Sequence, residues 1–207
     1  MVGIIDVGLG NIKSVTNWLD RCVIPWELIQ KPVEKPNYDL VILPGVGSVK
    51  EFMKNLKENH FIDYLNLLVK NNQRILGICL GAQVMFDSSE EDGGVKCLGL
   101  IKGKITHISI EGSNTGWLSF ECDKRRLSCQ WKNRKINISR RQLVRGRVFF
   151  NHNYGIELRD QAAIDLRIGL DSLSGYSAVV NKNNLFACQF HPEKSQDLGE
   201  ELLKIIY

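Results

Sequence analysis

The chain has 207 residues, 43% of them hydrophobic and 24% charged, with a net charge of +4. That length and balance suit one globular domain with a real core and argue against a disordered or fibrous chain. No apolar stretch reaches the ~18 residues of a membrane span, and Met1–Asp6 reads as a first strand rather than a leader, so the expected location is cytoplasmic.

In chain order, residues 2–6 are expected to form a strand, and residues 12–21 a helix that opens after Gly8-Leu9-Gly10-Asn11. Residues 40–43 form the second strand and end at Pro44-Gly45-Val46-Gly47. Residues 49–69 carry a helical pattern, broken near Asn59-His60. Residues 74–78 give a third strand and residues 82–87 the next helix. Strands alternating with helices predict βαβ units and a parallel sheet. After Gly93-Gly94 the texture changes. Residues 105–110, 117–121, 148–151, 176–180 and 185–190 read as shorter, partly antiparallel strands, and residues 195–207 close the chain with an amphipathic helix. The expected fold is α/β: one open, mostly parallel sheet flanked by helices, with antiparallel strands extending it.

Between Lys124 and Arg147 stand ten Lys/Arg and no Asp/Glu, so the rest of the chain is net acidic. A solvated basic loop or hairpin accounts for this run, and docking on an acidic partner or anionic substrate is the alternative. Nucleic acid has thin support, because only Trp131 offers a stacking group within it. The six cysteines include no CxxC pair, so neither a zinc site nor a disulfide framework is expected.

Three glycine-bearing turns follow the clear strands: residues 8–11, 44–47 and 77–81. In an open parallel sheet such loops share the carboxyl edge, where ligands bind. Gly8-Leu9-Gly10 lacks the third glycine and the ribose-binding acid of a dinucleotide fingerprint. The segment Leu76-Gly77-Ile78-Cys79-Leu80-Gly81-Ala82-Gln83 is the most specific. It places Cys79 at a strand-to-helix junction with glycines at −2 and +2, the geometry of a nucleophile elbow with sulfur in place of oxygen. A helix start and a neighbouring imidazole are the two means of turning such a thiol into a thiolate. Acyl transfer also needs oxyanion donors, and the candidates are the Leu80 N–H and the Val46-Gly47 peptide region.

Of four histidines, His60 reads as a surface residue and His107 as a structural one in a strand. His152 divides evenly between loop structure and substrate rim. His191 follows an apolar strand and precedes Pro192-Glu193. Proline restricts both itself and its predecessor, so His191 is held rigidly and Glu193 can turn back to its far nitrogen.

These segments resemble the class I (triad) glutamine amidotransferases. With residues 4–11, 43–47, Ser88-Ser89-Glu90-Glu91, Gly116-Trp117 and 189–195, they span nearly the whole chain. The Gly-Asn-Ile-Lys-Ser start and the Ser-Ser-Glu-Glu run resemble the branch that serves imidazole glycerol phosphate synthase. The resemblance implies that Cys79 attacks glutamine's side-chain amide, with His191 as base and then acid, and Glu193 orienting it. Gln83 and Glu91 would hold glutamine's amino-acid end. The backbone at Asn153-Tyr154 would lie near its carboxylate, and the Val46-Gly47 loop would supply an oxyanion donor. Ammonia would pass through a channel to a HisF-like (β/α)8-barrel synthase, with Trp117 and Lys194 at the interface. No metal or organic cofactor is implied.

The chain departs from that pattern at Ser113, Asn114 and Thr115, where proline, histidine and methionine are usual, and at Leu118, Asn153 and Ala82. The segment between Trp117 and Phe149 is also longer than the pattern. Three functions therefore stay open. The first is a glutaminase for imidazole formation in histidine biosynthesis. The second is a paralogue feeding ammonia to an enzyme that amidates bacterial surface sugars. The third is a catalytically silent regulatory subunit. Residues 1–207 are expected to form a single amidotransferase domain with a basic insertion at about 122–147.

Overall fold

The computed structural model describes residues 1–34, 36–108, 115–121, 130–131, 134–135, 145–159, 164–167 and 176–207. In the first half these are β1 (Val2–Ile5), α1 (Ile12–Arg21), β2 (Trp26–Ile29), β3 (Leu40–Gly45), α2 (Val49–Glu58), α3 (Phe61–Lys70), β4 (Ile75–Cys79) and α4 (Leu80–Gln83). Then come β5 (Ser88–Ser89), β6 (Val95–Lys96), β7 (Gly103–His107), β8 (Thr115–Glu121), β9 (Gln130–Trp131), β10 (Arg134–Lys135), β11 (Arg145–Asn151), β12 (Tyr154–Leu158), β13 (Ile164–Arg167), β14 (Ser177–Lys182), β15 (Leu185–Cys188) and α5 (Gln196–Ile206).

Among the described residues, eleven strands join one sheet in the order β2-β1-β3-β4-β15-β14-β12-β7-β5-β6, with β13 on β14. The block β2-β1-β3-β4-β15 is parallel throughout. Beyond it β15-β14-β12-β7 runs antiparallel. β8 and β11 form a separate antiparallel pair, tied to the main body by a bridge between Phe149 and His191.

Strands β1, β3, β4 and β15 of the parallel block are buried on both faces, which is why they read as nearly unbroken apolar runs. Ile4, Ile42, Leu76 and Ile78 face one layer with Trp18 and Leu19 of α1 and Leu202, Leu203 and Ile206 of α5. Ile5, Val41, Leu43 and Ile75 face the other, against Phe52 and Leu56 of α2 and Tyr64, Leu65 and Leu68 of α3. Trp18, Phe52 and Leu203 are fully buried. Each such side chain contributes about 1.5–3 kcal/mol by leaving water.

The helix starts are set by side chains. Asn11 Oδ1 accepts from Ser14 N at 3.3 Å, and Ser48 Oγ accepts from Glu51 N at 3.4 Å. Both satisfy amides that a first turn leaves unpaired. The expected break falls at Asn59-His60, where His60 takes φ 61 and turns the chain from α2 into α3. It is exposed, as expected, though it sits at the break rather than in a helix.

Two expectations are corrected. The helix after Cys79 covers Leu80–Gln83 rather than residues 82–87, because the chain then loops to bond Leu98, Gly99, Leu100 and Ile101 amides to carbonyls of residues 84–86. The last strand stops at Cys188 rather than 190; Gln189 N–H still reaches Ala178 O of β14, and two residues further on His191 N–H turns to Phe149 O instead. The edge strand β2 and the return strand β12 were not anticipated; β2 is too short and too exposed to show a clear period. The basic stretch lies largely outside the described residues, as do Ser113 and Asn114. Among the described residues no helix is long and apolar enough to cross a membrane.

Candidate active site

Because β1, β3, β4 and β15 are parallel, the segments that leave their carboxyl ends meet on one edge of the sheet. They carry Leu9, Val46-Gly47, Cys79 and Gln189 to His191.

Cys79 ends β4 and precedes the first residue of α4, with φ 54 and ψ −111. A non-glycine residue at positive φ outside the left-handed helical well is strained, and such strain persists only where surrounding packing over-determines it. The packing here is severe. A Cβ on Gly81 would lie 1.9 Å from the Leu43 carbonyl oxygen, one on Gly77 2.6 Å from Gly81 O, and one on Gly45 2.5 Å from Gly81 N. Gly81 and Gly45 thus permit close approach of β3 to the turn, and Gly77 lets the turn fold back against β4. As the residue that opens α4, Leu80 has an N–H with no intrahelical acceptor. With only four residues, α4 has little dipole, so a charged neighbour must do most to stabilise a thiolate.

That neighbour is His191. The turn Pro192–Lys194 folds Glu193 back so that Glu193 Oε1 meets His191 Nδ1 at 2.7 Å. Both side chains are almost wholly buried. His191 is fixed further by its N–H to Phe149 O at 2.9 Å and by Ser195 Oγ, which donates to His191 O at 2.6 Å and accepts from Phe149 N at 3.1 Å. Nε2 of His191 is buried and makes no hydrogen bond of regular geometry, yet Cys79 is close enough to act on the ring. Burial disfavours the imidazolium. Hydrogen-bonding interactions with Cys79 and Glu193, and then their electrostatic attraction, outweigh it and raise the His191 pKa to about 10. The arrangement therefore favours an imidazolium at His191.

Gln83, fully buried, faces the same edge. Its Nε2 reaches Gln189 Oε1 at 3.1 Å, His152 Nδ1 at 3.2 Å and Tyr154 O at 3.4 Å. His152 Nδ1 also accepts from Tyr154 N at 3.0 Å, so the neutral ring carries its proton on Nε2. Burial, and then the nearby His191, push the His152 pKa down to about 4. His152 thus belongs to the wall of this cleft. Asn153 is exposed and its carbonyl takes the Ile108 N–H at 2.8 Å. With every donor of Gln83 facing an acceptor, Gln83 Oε1 is a buried acceptor without a donor. Glu91 Oε2 is another, and burial raises the Glu91 pKa. Each such oxygen is an acceptor open to a donor from a ligand.

Val46 donates its N–H to Leu9 O at 3.1 Å, and Gly47 follows at φ 97. The Val46 amide is thus committed to Leu9 in this conformation. Trp117 is 37% exposed and sits edge-on to Phe149 at 5.9 Å, while Lys194 Nζ lies 5.1 Å from the same ring. The structure brings Trp117 and Lys194 to one patch beside His191.

Sequence reasoning missed Gln189, Ser195 and Asp92 as supporting residues. Gln189 and Ser195 flank the His191 motif, so proximity to it was the available signal. Asp92 had none.

A sheet with a strained cysteine at one parallel strand end and a buried His-Glu pair at the next defines a cysteine-dependent amidotransferase architecture. The glutamine amidotransferase class-I family matches residues 4–205, and the chain belongs to that family. It is 36% identical to the imidazole glycerol phosphate synthase subunit HisH of Bacillus subtilis, covering 98% of this chain and 93% of that one. The HisH subunit of Prochlorococcus marinus is 37% identical, with 98% and 91% covered. Among solved structures, a glutamine amidotransferase superposes with TM-score 0.76 at 17% identity, covering 99% and 96% of the two chains. A chain of PurLQS from Thermotoga maritima gives 0.74 at 16% identity, with 99% and 96% covered. At those identities the likeness concerns the fold.

Proposed function

We propose that this chain is the glutaminase subunit of an imidazole glycerol phosphate synthase, hydrolysing glutamine with Cys79, His191 and Glu193 as the triad. The carrying observation is the buried Glu193–His191 pair, joined to a cysteine strained at a strand end. The Cys79 thiolate attacks the amide carbon of glutamine. The negative charge passes to the amide oxygen, which Leu80 N–H and Val46 N–H stabilise once Val46 lets go of Leu9 O. Imidazolium His191 gives its proton to the departing nitrogen, leaving ammonia and a thioester on Cys79. Neutral His191 then takes a proton from water, which attacks the thioester and releases glutamate.

Gln83 Oε1 and the Glu91 carboxylate receive the α-ammonium group, and the Tyr154 segment borders the carboxylate end. A HisF-like (β/α)8 barrel docks over Trp117 and Lys194 and takes the ammonia, so the chain works in the cytoplasm beside that synthase. Residues 1–207 act as one amidotransferase domain. The HisH relatives favour an imidazole-forming client over a surface-sugar client, and the strained Cys79 with its charged His191 favours catalysis over a silent role.

Glutamate release is measured for the chain alone and with a HisF-type barrel. Substantial turnover with the barrel, lost in Cys79→Ala, is expected. A Cys79→Ala protein that still hydrolyses glutamine as well as wild type would falsify the triad. Rescue of a histidine auxotroph lacking its own HisH separates the two clients.

A further inference from the structure

The segment Glu91–Gly93 does more than present Glu91. Asp92 is held at φ 55 and ψ 28, in the left-handed region that costs a non-glycine residue energy. Its Oδ2 accepts from Ser48 Oγ at 2.6 Å and from Lys50 N at 3.1 Å. The Val49 amide lies near the Glu91 carboxyl, where it opposes the rise in pKa that burial causes. Asp92 therefore grips the first turn of α2, which only the N-cap Ser48 separates from the Val46-Gly47 loop. The loop thus has two anchors. One is Leu9 O, which holds Val46 N–H in the present conformation. The other is Asp92.

We propose that Asp92 is a positioning residue that holds the Val46-Gly47 loop in register with Glu91, so that glutamine's α-ammonium end and the oxyanion donor are set by one rigid clasp. The inference rests on the glutaminase reading above. Its physical basis is pre-organisation. The Val46 N–H lies in the Gly45–Val46 peptide, whose rotation turns on Gly45 ψ and Val46 φ; Gly47, at φ 97 and with only Leu9 Cδ2 at 4.0 Å from where a Cβ would sit, lets the chain beyond it adjust. That rotation places an N–H on the oxyanion only if the loop's far end stays fixed, and a charge-assisted bond to Ser48 and Lys50 N–H fixes it. Strain at Asp92 is the cost of reaching both groups from the Glu91 turn.

The strained backbone makes the test clean, because glycine and asparagine both accept φ near +55. Asp92→Gly removes the clasp while easing the backbone. Asp92→Asn keeps an acceptor without the charge. Steady-state glutamate release by the full chain with a HisF-type barrel is measured against glutamine concentration, alongside thermal melting. Asp92→Gly is expected to lower kcat about tenfold, with KM little changed and melting unchanged or raised. Asp92→Asn should recover part of the loss. Ser48→Ala should cost no further activity in the Asp92→Gly background, as expected for two residues acting through one contact. Wild-type kcat in Asp92→Gly, a faster enzyme, or fully additive losses would each overturn the proposal. A failure of the underlying glutaminase reading shows itself separately, as absence of glutamine hydrolysis by the unaltered protein.

Discussion

The carboxyl edge of the parallel block and the β8–β11 patch lie side by side and are built on opposite terms. At the edge, Cys79, Gln83, His191 and Glu193 are buried, and a Cβ on Gly45, Gly77 or Gly81 would overlap neighbouring backbone. At the patch, Trp117 is half-open to solvent, Arg147 lies 5.7 Å over its ring, and Lys194 caps Phe149. The two are joined through Phe149, whose ring lies 6.3 Å from that of His191. The lesson is a division of labour. On the proposed reading, chemistry sits where the sheet over-determines position, and the surface for a partner sits where side chains still have exposed area to bury.

Substitutions can break that contrast, beginning with the largest effect. Cys79→Ala should lower glutamate release by at least about a thousandfold while leaving the melting temperature and partner affinity near wild type, because the nucleophile is lost and the wall kept. His191→Gln should cost roughly 10²–10⁴-fold in kcat, as expected for a lost general acid–base, with circular dichroism unchanged. Gly81→Ala should act through the fold. Its Cβ would need space now held by Leu43 O, so about 3 kcal/mol of stability should go, read as a lower denaturation midpoint. Trp117→Ala should do the reverse. Stability should change by less than about 0.5 kcal/mol. Affinity for the barrel partner, measured by titration calorimetry, should fall about tenfold. If Trp117→Ala destabilised the chain as Gly81→Ala does, the contrast between the two regions would fail.

The smallest effect tests the border between them. His152 is neutral in the folded protein because burial and the nearby His191 hold its pKa at about 4, below the ordinary 6.5. Between those two values the unfolded chain binds a proton that the folded chain refuses. Stability is therefore complete above about pH 6.5 and declines as the pH falls towards 4. His152→Gln should flatten that part of the curve in pH-dependent melting. An unchanged slope would remove His152 from the cleft wall.

The sequence was most legible where local pattern and burial agree. Residues 12–21 read as a helix and form one, because a stripe containing Val15, Trp18 and Leu19 has a single face to bury. The break at Asn59-His60 was readable because polar residues interrupt two apolar stripes. The elbow was readable because Gly77 and Gly81 leave few other uses for a cysteine between them. Less was legible in the strands after Gly94. Edge and antiparallel strands carry mixed faces, and their pairing depends on partners far away in the chain.

By itself, the amino-acid sequence determined the family and the parallel α/β frame and singled out Cys79 at its turn, since each rests on patterns of residues close together in the chain. Only the tertiary structure decided which groups meet that cysteine and how they are held. It placed Gln189 and His152 on Gln83, Ser195 between His191 and Phe149, Asp92 on Ser48, and Val46 N–H on Leu9 O. Each of these contacts joins different elements, and its free energy exists only after the strands have aligned their ends. No local pattern records such a contact, which is why the chemistry could be read early and its control only from the fold.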